Sequence, residues 1–138
     1  MSFHRLRREF PIYDSIYFDI IISDSTEEIN KELAPEDQEE EFFACASKVT
    51  FQNEKGLNCK SIQVILCKEN PNNPITPRII VHETVHVKNM LFGIIGYRQA
   101  DDNDEAEAYF TEWIFQEITN FFEECQRYDA GGQLKLEL

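Results

Sequence analysis

The stretch "RIIVHETVHVKNM", residues 78–90, holds two of the chain's three histidines four positions apart, with a glutamate directly after the first. On an α-helix each residue turns about 100°, so His82 and His86 project side by side and can aim two imidazole nitrogens at one ion. Glu83 is one step round, where its carboxylate can reach a water on that ion rather than the ion itself. The spacing therefore supplies both a binder and a base. A catalytic zinc takes a third protein ligand and keeps a position open for water. Glu105, with 18 residues between it and His86, is the first choice for that ligand, and Glu107 is the second. Asp101, Asp102 and Asp104 stay open, and Asp102-x-x-Glu105 is also a helix-capping arrangement that needs no metal.

The elements that must position these groups follow from pattern. Thr76 before Pro77 is a helix start, because proline brings a helical φ and lacks an N–H that would have gone unbonded. Gly93 or Gly96 would end that helix. Its apolar residues, from Ile79 to Leu91, point in almost every direction, which predicts burial on more than one side. A second long helix is expected from near Asp102 to about Cys125, with Ala106, Phe110, Trp113, Ile114, Ile118, Phe121 and Phe122 as its core stripe. Glu105, Tyr109, Glu112 and Gln116 fall on another side, the last two towards water.

Upstream, residues 15–23 alternate Ile16, Phe18, Ile20 and Ile22 against Tyr17, Asp19 and Ile21, the period of a strand. Ser25 and Glu28 form a capping box for a helix ending before Pro35, and a further helical piece could run from Pro35 through the acidic stretch. Strands at 45–51 and 61–67, joined by a turn at 53–56, precede a loop at 68–76. Residues 129–138 read as a loose tail, whose Leu134, Leu136 and Leu138 could add a strand.

"HETVH", then 18 residues, then a glutamate opening the helix "DEAEAYFTEWI", resembles the gluzincin metallopeptidases, the group that includes thermolysin and the zinc aminopeptidases. More narrowly, the Asp-Glu-x-x-Ala-Tyr run resembles small predicted zinc peptidases of bacteriophage and bacterial genomes. The likeness spans about residues 60–125. It implies an α+β, zincin-like domain, with a twisted mixed sheet of about three strands packed on the motif helix and on a C-terminal ligand-bearing helix. It implies Zn2+ held by His82, His86 and Glu105, with Glu83 as general base and peptide or protein as substrate. The strand at 61–67 would line the cleft and pair with an extended substrate. Tyr109, or else Tyr97, would steady the oxyanion.

Composition narrows the field. At 138 residues, 42% of them hydrophobic, the chain is expected to form one domain with a modest core. A net charge of −13 repels nucleic acid. The run Glu36, Asp37, Glu39, Glu40 and Glu41 reads as a solvated surface. The N-terminus lacks the apolar stretch of a secretory signal and nothing approaches a membrane span, so a cytosolic protein is expected. Cys45, Cys59, Cys67 and Cys125 should then be reduced and structural. His4, among arginines, is expected to be exposed and silent. Two rival readings are a catalytically silent zinc-binding module, and an interaction protein without metal.

Overall fold

The computed structural model describes residues 2–102 and 104–131. Among them four strands are followed by two long helices. These are β1 (Phe3–Phe10), β2 (Tyr13–Ser23), α1 (Thr26–Glu32), β3 (Ala44–Gln52), β4 (Asn58–Cys67), α2 (Pro77–Ile95) and α3 (Glu105–Asp129). The sheet order is β1-β2-β4-β3, with β2 and β4 parallel and both outer pairings antiparallel. The architecture is thus α+β with a mixed sheet, as expected, but with a fourth strand that the charged "HRLRRE" run conceals.

The alternation in β2 works as read. Ile16, Phe18, Ile20 and Ile22 join Ile62, Val64 and Leu66 of β4 in one core, against Val87 and Leu91 of α2 and Ile114 and Ile118 of α3. Burying such side chains contributes roughly 1.5–3 kcal/mol each. On the opposite face α1 closes a smaller cluster of Ile21, Ile29, Phe42, Ile65 and Cys67. The Ser25 hydroxyl accepts the Glu28 N–H at the start of α1, the expected cap.

Beyond α1, the polar side chains of β1 and β2 close on each other. Asp19, only 2% exposed, accepts two hydrogen bonds from Arg7 at 2.6 and 2.8 Å and one from the Ser61 hydroxyl at 2.8 Å. Burial pushes the Asp19 pKa up, but the bonds from Arg7 and Ser61 and the charges of Arg7 and Arg5 outweigh it and hold it below the ordinary value. The Arg7 guanidinium lies over the Phe51 ring, 4.2 Å from its centroid.

Several expectations need correction. The acidic stretch forms only a 3-10 turn at Pro35–Asp37, because it starts with no side-chain cap and residues 38–41 are all exposed, so no apolar face rewards a longer helix; its charges are exposed. α3 runs on to Asp129, where the carboxylate meets His4 at 2.9 Å and Lys68 at 2.9 Å. His4 is therefore not exposed: its side chain is 10% accessible, closed over by Asp129 and Tyr128. The strand expected from Leu134, Leu136 and Leu138 lies outside the described residues. All four cysteines are free thiols, and burial pushes Cys45 up to about 11 and Cys125 up to about 12. No helix among the described residues is long and apolar enough to cross a membrane.

Candidate metal centre

Pro77 opens α2, while Thr76 offers its carbonyl to the N–H groups of Ile79 and Ile80 and makes no side-chain cap. Gly96, at φ 70, ends the helix, and Gly93 lies inside it. A left-handed terminal residue is where glycine has no steric cost. α2 packs on β3 and β4 with Ile80, Val87 and Leu91.

α2 is covered by the sheet and by α3, as expected, but not all of its apolar residues share in that burial. Val81 and Val85 are 50% and 42% exposed, while Glu83 and Lys88 are buried. The helix is amphipathic with two charged residues turned inward and two valines turned outward, an inversion that the apolar count alone hides. His82 and His86 are exposed on the same helix.

The two histidines converge. Their Nε2 atoms are 3.2 Å apart and their rings meet edge to face, with centroids 4.8 Å apart. Two zinc–nitrogen bonds of about 2.0–2.1 Å at a tetrahedral angle separate the nitrogens by roughly 3.3 Å. The pair thus has the separation that one ion requires. Without an ion, one ring must donate to the other, a bond of little net worth in water.

Glu83 sits one position round, and its Oε2 is buried with no hydrogen-bond partner. Burial pushes its carboxyl pKa up, and the neighbouring His86 and His82 pull it back only in part. A buried, unpartnered carboxylate oxygen beside two converging imidazoles fits a group that meets a water or a cation held by them.

The remaining expected residues are not gathered there. Among the described residues no third His, Cys, Asp or Glu joins the pair in a group able to hold a metal ion. Glu105 is exposed in the first turn of α3. Glu107 is committed elsewhere, its Oε1 2.6 Å from the buried Lys88 Nζ. Asp101, Asp102 and Asp104 are exposed. Tyr109 is 52% exposed against Phe110, and the Tyr97 ring packs on Phe92 at 4.6 Å. The face that α2 turns to α3 carries Val81, Thr84 and Val85, about 100° round from the histidines.

The strand beside the site also differs from expectation. β4, which includes 61–67, is paired on both edges, with β2 and β3, and has no backbone groups left for a substrate. β3 is the outer strand on this side and packs against α2, with Ala44 and Ala46 turned to the helix core. The sequence carried no sign of this order, because a parallel β2–β4 pairing skips the strand that lies between them in the chain. The Lys88–Glu107 pair was likewise missed; its signal was a lysine amid the apolar positions of α2. Comparison with family models, with curated proteins and with solved structures gave no match.

Proposed function

We propose that this protein is a zinc-dependent hydrolase of peptide bonds with a zincin-like site, in which His82 and His86 hold the ion and Glu83 is the general base. The reading rests chiefly on one observation: two Nε2 atoms 3.2 Å apart beside a buried carboxylate oxygen with no partner. When bound, zinc polarises a carbonyl and lowers the pKa of water towards neutrality. Glu83 would take a proton from a water held there and pass it to the leaving amine, and the burial that pushes its carboxyl pKa up makes it a better acceptor. Glu105 would be the third ligand in this reading, which requires the first turn of α3 to shift towards the histidines; it is exposed and in no ion pair among the described residues, whereas Glu107 is bonded to Lys88. The outer edge of β3, next to α2, gives an extended substrate backbone groups to pair with.

The convergence of the two histidines, which needs no base beside it, also fits a second reading, a zinc-binding module without turnover. Protein equilibrated with zinc, dialysed and assayed against a mixed peptide pool separates the two. Metal retention with cleavage, lost in Glu83→Gln while the metal stays, supports the hydrolase; retention without cleavage supports the module. Failure of the wild-type chain to retain zinc sinks both.

A further inference from the structure

Between α2 and α3 runs an open groove of about 530 Å³ that does not include the histidines or Glu83. Its floor is apolar: Val81 and Val85 from α2, Ala108 and Phe115 from α3. Its rim is acidic, with Asp104, Glu107 and Glu112. Glu107 is neutralised by Lys88, whereas Asp104 and Glu112, both exposed, are in no ion pair among the described residues.

We propose that this groove docks an amphipathic helix of a partner protein, with its apolar ridge on Val81 and Val85 and its lysines or arginines against Asp104 and Glu112. Three features carry the assignment. Val81 and Val85 are one helical turn apart and half-exposed, and with Ala108 and Phe115 they form one continuous apolar strip along the groove. Ala108, Thr111 and Phe115 line the facing wall at helical spacing, leaving the furrow into which a third helix's side chains pack. The carboxylates at the rim, on a chain of net charge −13, select a cationic occupant and disfavour an anionic membrane or nucleic acid. The proposal does not rest on the metal reading, since the groove opens from another arc of α2.

The test uses a short synthetic peptide of leucine and lysine, patterned so that its leucines line one helical face, titrated by fluorescence anisotropy at physiological salt. Binding is expected, and Val85→Asp should weaken it by at least about tenfold. That substitution makes the chain more acidic, so attraction by charge alone would strengthen instead. Asp104→Lys with Glu112→Lys should weaken binding about as much, whereas Glu36→Lys with Glu40→Lys, the same change of charge far from the groove, should leave it within about twofold. Where Val85→Asp alters the circular dichroism, Val81→Asp replaces it. No binding by the wild-type chain, undiminished binding by the valine variants, or equal loss in both lysine pairs overturns the proposal.

Discussion

Lys88 Nζ lies 2.6 Å from Glu107 Oε1, joining the motif helix to the first turns of α3 through a lysine that is 7% exposed. A buried ammonium left without its carboxylate is costly, so this pair fixes where the opening of α3 stands relative to α2. It also separates the roles of two glutamates that look alike in the sequence.

Glu107→Ala is expected to lower stability by about 2 kcal/mol, the cost of orphaning a charge whose partner is one-third exposed, and to leave zinc stoichiometry unchanged. Glu105→Ala is expected to leave stability within about 0.5 kcal/mol, as for an exposed residue, and to weaken zinc. Urea unfolding alongside metal analysis checks both. Zinc loss in Glu107→Ala and not in Glu105→Ala would reverse the assignment.

His82→Ala and His86→Ala should each drop zinc content from near one equivalent to below about a tenth after dialysis, since removing either ligand leaves a single imidazole. Circular dichroism should not change, because both side chains are exposed. Retention of metal by either variant would move the site elsewhere.

Glu83→Gln should keep zinc and lower hydrolysis by about 10²–10⁴, the usual worth of a general base. Turnover equal to wild type, measured on a peptide that the native protein cleaves, would remove Glu83 from the proton path.

Asp19 gives a pH dependence of definite sign. Its folded pKa is depressed by Arg7, Ser61 and Arg5, so the stability it contributes is fully present above the unfolded value, about 3.9, and is lost as pH falls through the folded value. Asp19→Asn should cost about 2 kcal/mol at neutral pH, less than a fully buried pair because Arg7 is 38% exposed. The deficit should shrink below pH ~4. Thermal unfolding that showed the same deficit at both pH values would contradict the linkage.

Ile12, with Pro11, connects β1 to β2 at φ 63 and is 86% exposed. A β-branched residue in the left-handed region costs roughly 1–2 kcal/mol. Ile12→Gly should therefore raise stability by about 1 kcal/mol after its own chain entropy is offset, as read from the denaturation midpoint. A lower midpoint would show that the side chain is held by contacts that outweigh the strain.

Legibility of the sequence varied with the physics behind each feature. The period of Ile16, Phe18, Ile20 and Ile22 named β2 because one face meets a single core. Pro77 marked the start of α2 through local backbone geometry, while its end was narrowed only to Gly93 or Gly96, of which Gly96 takes the left-handed position. The convergence of His82 and His86 was readable from helical spacing alone. β1 was not, since the reason Arg5 and Arg7 can sit in a strand is Asp19, on the next strand. The inward turn of Glu83 and Lys88 was equally hidden, because valines at 81 and 85 mask which arc faces the core. The third ligand was hardest to read, with acids crowding residues 101–107 and no pattern to choose between them.

The parallel seam between β2 and β4 pairs Ile16 with Lys60 and Ser23 with Cys67, across everything the chain lays down in between. Hairpins β1–β2 and β3–β4 can each zip from their own turns, but neither buries its inner face until that seam closes. That seam is the long-range pairing on which both hairpins depend, and substitutions at Ile20 or Val64 are expected to slow refolding, followed by stopped-flow fluorescence, more than those at the hairpin tips.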